Sequence, residues 1–223
     1  MKIAIMQPYV FPYMGYFQLY NAVDLFISLE DVNFIKRGWI NRNQILVNGK
    51  PQYITFPVKN ISQNRYINQH YMEDWEKPWS DDMLKTISVN YKKAPFYKEV
   101  FPVIEKIFDR KGSDNLASFA LYTVTEFGKH LGIDTEVTWS LTYPKFNLLG
   151  QDRIVNICNK VGAKTYINAI GGRELYTQKD FGNINLRFIK RLDMENNLSI
   201  IDIVMRRGWK DTKTLLNQYK LIM

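Results

Sequence analysis

The chain has 223 residues, of which 46% are hydrophobic, 14% aromatic and 23% charged. That is a globular composition, long enough to bury roughly 70% of the surface the unfolded chain exposes without disulfide or metal staples. Lys and Arg number 30 against 22 Asp and Glu, and the net charge of +8 suits anionic ligands: nucleotides, phosphosugars, acidic carrier proteins or nucleic acid. One cysteine, Cys158, and two histidines, His70 and His130, exclude a disulfide framework, a Cys-rich zinc site and a His-rich metal centre.

Residues 1–6 are too short for a signal-peptide core, and no apolar run approaches the ~18 residues that span a bilayer. A cytoplasmic, reducing setting is the expectation. Residues 3–6 form a continuous apolar run, the mark of a strand buried on both faces of a parallel sheet. A loop with Pro8, Pro12 and Gly15 follows, then a helix-like stretch over 16–23 and a second apolar run over 25–29. This is a compact βαβ opening. Residues 44–57 read as a hairpin about Asn48-Gly49, the pair suited to a type I′ turn. Residues 59–79 are polar, aromatic and aperiodic, which predicts a long surface loop, of a length often found in functional lids.

Helices come next. Ser80 can cap one to about 93, Pro95 can open another to about 108, and Ser113 can cap a third that Gly132 ends. Residues 80–131 are thus expected to form a helical insertion or subdomain within a single domain, 1–223. The remainder alternates: a strand over 136–141, a helix over 151–161 ended by Gly162, strands over 164–168 and 185–189, then helices over 199–207 and from about 211. The expected class is α/β, a mainly parallel sheet of Rossmann-like type with an inserted β-hairpin and a helical layer.

Chemistry is expected at the first βα loop, because ligands of open α/β sheets bind beyond the carboxyl ends of the strands. Gln7, Pro8, Tyr13 and Gly15 lie there; the prolines stiffen the loop and Gly15 allows a phosphate or ribose to approach the backbone. The order strand, proline-bearing loop, glycine, helix shares the layout of the HIGH-type loop of adenylate-forming α/β enzymes, without its histidines. A second segment follows the next strand. In it Lys36, Arg37 and Arg42 offer charge for phosphate, Asn33, Asn41 and Asn43 offer amides for sugar hydroxyls or base edges, and Trp39 offers a ring for stacking.

The stretches MKIAIMQPYVFPYMGYFQL and DVNFIKRGWINRN resemble the WbqC-like family, found in bacterial polysaccharide and O-antigen gene clusters. Gly162 to Tyr166, Gly171-Gly172 and Leu198 to Ile203 resemble family segments too, whereas the stretch usually rich in Pro and Gln is here Lys190 to Asn197. The resemblance implies work on nucleotide-linked sugars of lipopolysaccharide synthesis, namely acylation or aminoacylation of an amino-sugar.

Smaller signals remain. Glu30 and Asp31, ending the second strand, can act as acid, base or amine-orienting carboxylates, and His70 of the long loop is either a general-base candidate or simply a surface histidine. Gly171-Gly172-Arg173 can hold an anion through backbone N–H groups or form a simple turn. Cys158, among Ile154, Ile157 and Val161, reads as a buried structural thiol, and His130 as a partner of its helix dipole. With no long basic run or reader motif, nucleic acid is not the expected partner.

The favoured expectation is a transferase that forms an amide on the amine of a nucleotide-linked sugar. Activation would come from ATP, through an adenylate on the HIGH-like loop, or from a carrier thioester, for which the basic surface suits an acidic acyl carrier protein. A nucleotidyl- or glycosyltransferase and a non-catalytic nucleotide-sugar binder are the alternatives.

Overall fold

The computed structural model describes residues 1–109, 115–193 and 195–223. The chain runs β1 (Lys2–Met6), α1 (Met14–Asn21), β2 (Leu25–Ser28), β3 (Arg42–Val47) and β4 (Lys50–Thr55), then α2 (Trp79–Tyr91), α3 (Tyr97–Phe108) and α4 (Leu116–Leu131). It continues with β5 (Glu136–Trp139), α5 (Gly150–Lys160), β6 (Thr165–Ala169), α6 (Gln178–Phe181), β7 (Asn185–Arg191), α7 (Ile200–Leu215) and β8 (Tyr219–Ile222). Six strands form one sheet in the order β5-β2-β1-β6-β7-β8, parallel except for the last, while β3 and β4 form a separate antiparallel hairpin. Ranked along the chain, the six sheet strands stand in the 3-2-1-4-5-6 order of a Rossmann-like sheet. The expected α/β class, mainly parallel sheet and hairpin are all present.

The continuous apolar runs are explained by burial on both faces. Ala4, Phe26, Ile167 and Ile189 join the core beneath α1, the hairpin, α2 to α4 and α7. Their neighbours Ile3, Ile5, Leu25, Ile27, Tyr166 and Phe188 face the other way, against Ile154, Ile157 and Cys158 of α5. Cys158 is fully buried there, and burial pushes its thiol up to about 12. No described helix is long and apolar enough to cross a membrane.

Asn48 and Gly49 both have positive φ, 50° and 75°, so the hairpin turns as expected. Several expectations shift. α2 begins at Trp79, so Ser80 lies inside its first turn and does not cap it. The third middle helix is capped by Asn115, whose side chain accepts from the Ser118 N–H; Ser113 lies outside the described residues. Residues 59–79 are no free surface lid: Ile67, His70 and Met72 are fully buried, and bridges Asn33–Tyr66, Val58–Met72 and Tyr71–Asn115 pin the segment to its neighbours. Buried side chains every two or three residues anchor a stretch whose composition is otherwise that of a loop. Finally, β8 pairs with β7 along the sheet edge, a four-residue strand too short to be read from periodicity.

The two C-terminal helices expected on either side of Gly208 run on as α7, broken at Gly208 with φ 71° and ψ 174°. A Cβ at that position would lie 2.5 Å from the Phe96 ring. Gly208→Ala therefore combines left-handed backbone strain with a clash. It should cost about 2 kcal/mol or more and lower the thermal midpoint by several degrees. Gly171→Ala, where a Cβ meets nothing within 4 Å, should stay within about 0.5 kcal/mol of the parent in the same melt.

Candidate functional site

The sheet reverses its direction of growth between β1 and β6. Their paired register covers only Lys2↔Thr165 and Ile3↔Tyr166, although β1 continues to Met6 and β6 to Ala169. The strands part toward their carboxyl ends, and that is where open α/β sheets take ligands. A cavity of roughly 480 Å³ lies at this end. Gln7 after β1, Leu29 and Asn33 after β2, Tyr66, Lys145, and Gly150 with Arg153 of α5 line it, together with Tyr176 beyond β6.

Beneath the cavity, the end of β2 is stapled to the segment after β5. The Glu30 carboxylate accepts from the Ser140 N–H and hydroxyl, both at 3.1 Å, and from the Leu141 N–H at 2.9 Å. Burial nevertheless holds its carboxyl above the usual range, the hydrogen bonds offsetting only part of the desolvation. The same Ser140 hydroxyl lies closer still to Asp31, 2.6 Å from Oδ1, so the two carboxylates share its one proton, and Asp31 also pairs with Arg153 at 3.2 Å, each residue only 2% exposed. Arg153 also donates to the carbonyls of Ser140, Tyr143 and Pro144, all at 2.8 Å, while its Nε has no acceptor among the described residues. Lys145 donates to the Asp31 carbonyl at 2.6 Å, with its ammonium 4.1 Å from the centre of the Tyr66 ring. The crevice thus presents a cation on an aromatic face above a fixed guanidinium.

Of the residues expected from sequence, Gln7 and Asn33 line this cavity. Glu30 and Asp31 lie under it as braces, their oxygens already engaged. The first loop is closed. Pro8 is buried; the Phe11 carbonyl accepts from Asn43 Nδ2 at 2.7 Å and from Ser199 Oγ at 2.8 Å, and the Pro12 carbonyl from the Ile200 N–H. A Cβ on Gly15 would lie 2.5 Å from the Tyr13 ring and 3.0 Å from the Arg191 stem, so the space expected for a phosphate or ribose is filled by protein. Asn41 and Asn43 are buried clamps, Asn41 on the Phe56 carbonyl at 2.8 Å.

Lys36, Arg37, Trp39 and Arg42 stand on or beside the hairpin and do not line the cavity. Gly171, Gly172 and Arg173 form a tight 3-10 turn, with Gly172 closely approached by the Asn168 amide. His130 stacks on Trp209 at 4.8 Å. Among the described residues no group of three His, Cys, Asp or Glu could hold a metal.

His70 is fully buried and uses both ring nitrogens. Nδ1 lies 2.8 Å from the Tyr66 carbonyl, and Nε2 accepts from the Ser62 N–H at 3.1 Å. The neutral, Nδ1-protonated ring fits this arrangement; charging it would lose the Ser62 bond, and burial lowers its pKa. As a general base it has no free nitrogen.

Lys145, Arg153, Tyr66 and Tyr176 did not stand out in the sequence. Arg153 carried a usable signal, since it shares the apolar α5 face with Ile154, Ile157 and Cys158. An arginine inside such a stripe has to meet a buried partner.

Two outcomes check these placements. Arg153→Met strands the Asp31 carboxylate and should cost about 3–5 kcal/mol in chemical denaturation. The unfolded chain protonates His70 near its ordinary pKa of about 6.5 while the folded chain resists, so stability is present above that pH and is lost as pH falls below it. His70→Phe should flatten the slope of stability against pH in that window, measured by denaturation at stepped pH.

Comparison with known proteins places the chain. Residues 7–214 match the WbqC-like protein family. An uncharacterized protein of Mycobacterium tuberculosis, Rv1507c, is 27% identical over 188 residues, which cover 83% of this chain and 80% of the relative. No solved structure matches significantly. With the match running from the first βα loop through almost all of α7, the chain belongs to the WbqC-like family.

Proposed function

We propose that the protein binds a nucleotide-linked amino-sugar in the crevice between β1 and β6 and transfers an acyl or aminoacyl group to the sugar amine, as an enzyme of surface-polysaccharide synthesis. The observation that carries the reading is Lys145, held over Tyr66 and above the buried Arg153 at the reversal point of a Rossmann-like sheet. A fixed ammonium suits a diphosphate, the half-buried rings of Tyr66 and Tyr176 on the cavity wall suit apolar contact with a base or sugar ring, and the amides of Gln7 and Asn33 suit sugar hydroxyls.

The closed first loop bears on the donor. An adenylate would have to form where Tyr13 and Arg191 already fill the space beside Gly15. A donor that arrives activated, as a thioester, needs no such room. The sugar amine then attacks the thioester carbonyl, the C–N bond forms as the C–S bond breaks, and the proton lost by nitrogen ends on the departing thiol.

A non-catalytic binding role is the second reading, favoured by one observation: Glu30, Asp31 and His70 are all committed to internal hydrogen bonds.

Thermal unfolding with UDP, dTDP, ATP and CoA, each in large excess, tests the site. A ligand at ~100 times its Kd adds about 2.7 kcal/mol, a shift of several degrees. UDP or dTDP should shift the midpoint, and Lys145→Ala, which also gives up the bond to the Asp31 carbonyl and so starts from a slightly lower unliganded midpoint, should abolish the shift. If no nucleotide shifts it, the reading fails. Incubation with a nucleotide-linked amino-sugar and an acyl thioester separates the two roles: a mass gain on the sugar marks a transferase, and binding without it marks a carrier of the sugar.

A further inference from the structure

The positive charge of this chain is not evenly placed. Between Asp31 and Glu73 there is no acidic residue, and residues 32–72 hold Lys36, Arg37, Arg42, Lys50, Lys59 and Arg65, six of the net +8. The structure gathers the first four on and beside the β3–β4 hairpin, where none has a carboxylate partner among the described residues. Three large apolar side chains stand exposed with them: Ile35 at 49%, Trp39 at 43% and Tyr53 at 49%.

This patch is built. The Gly38 N–H closes a turn on the Ile35 carbonyl at 3.0 Å, with Arg37 at φ 62°. The Arg42 guanidinium bonds the carbonyls of Arg37 and Gly38 from one side and lies 4.4 Å from the centre of the Tyr53 ring. Trp39 and Tyr53 sit 5.7 Å apart, tilted by 37°. An exposed cluster of Trp, Tyr and Arg is the composition of a protein-binding hot spot. A slot for stacked bases or sugar rings would leave parallel ring faces open, whereas here the Tyr53 ring is covered by a guanidinium and the Trp39 ring is tilted against it.

We propose that this hairpin face is the docking surface for an acidic carrier protein that presents an acyl thioester on a flexible arm. The proposal rests on the acyl-transfer reading above and names the donor's source. Two features support it: the acid-free charge complements an acidic partner, and the surface runs directly to the crevice. Asn33, which lines the cavity, lies two residues before Ile35 and is bridged to Tyr66 on the cavity wall. A carrier seated on the hairpin therefore has its arm's entrance beside it.

The test is binding of the full-length protein to the source organism's phosphopantetheine-bearing acyl carrier protein, read by fluorescence anisotropy at low and at physiological salt. A single-stranded oligonucleotide and an acidic polysaccharide serve as competing probes. Binding should weaken with salt, and Trp39→Ala or the pair Lys36→Glu and Arg37→Glu should each weaken it by about tenfold or more. These exposed positions should leave the thermal midpoint unchanged, which separates lost docking from lost folding. Lys145→Ala should leave carrier binding intact.

Absence of carrier binding, or binding that the hairpin variants do not change, overturns the proposal. So does tighter binding of the oligonucleotide or polysaccharide that the same variants abolish, which would assign the surface to that polymer. If the carrier binds while UDP and dTDP fail to shift the midpoint, the crevice reading falls and the docking surface stands. The reverse pattern removes only the docking surface.

Discussion

The buried pairing of Asp31 with Arg153, reinforced by Glu30 and Ser140, is the interaction on which the site depends. It joins the end of β2 to the beginning of α5, across the crossing where β5 gives way to the second half of the sheet. Two buried charges are an expensive way to join them, since desolvation offsets much of their attraction. What they provide is position: one guanidinium fixes the carbonyls of Ser140, Tyr143 and Pro144 together, and so the wall that presents Lys145 to the crevice. An apolar replacement could fill the same volume but would leave those carbonyls without a donor.

A second constraint works from the opposite side. The loop after β1 is tied to the start of α7 by the Phe11 and Pro12 carbonyls and to the hairpin by Asn43, so three elements distant in sequence meet around it. Its prolines and aromatics serve interior packing, with Phe11 surrounded by Phe56, Phe108 and Phe127. Much of what makes this stretch distinctive in the sequence is architecture, and the ligand-facing part is reduced to Gln7.

The fold was largely legible. Apolar runs without alternation correctly indicated strands covered on both sides, and Asn48-Gly49 indicated the hairpin, because both patterns follow from local geometry. The lining of the cavity was much less legible. Lys145 and Tyr66 are ordinary loop residues until tertiary structure brings an ammonium over a ring. The carboxylates of Glu30 and Asp31 and the imidazole of His70 were attractive by chemical type, but a residue's type does not reveal whether its hydrogen-bonding atoms are spent. Here Ser140, Leu141, Tyr66 and Ser62 spend them, two of those partners more than a hundred residues from the groups they engage.

The lone thiol has a practical consequence. Cys158 is the chain's only cysteine, sealed against the sheet and held as the unreactive neutral form at ordinary pH. A maleimide or spin label would therefore leave the folded parent chain unmodified. Single cysteines introduced at exposed sites such as Leu149 and Leu175, on the segments flanking the crevice, would be the only addressable positions. The distance across the mouth, with and without a ligand, could then be measured spectroscopically in the natural background, with no prior removal of a native sulfhydryl.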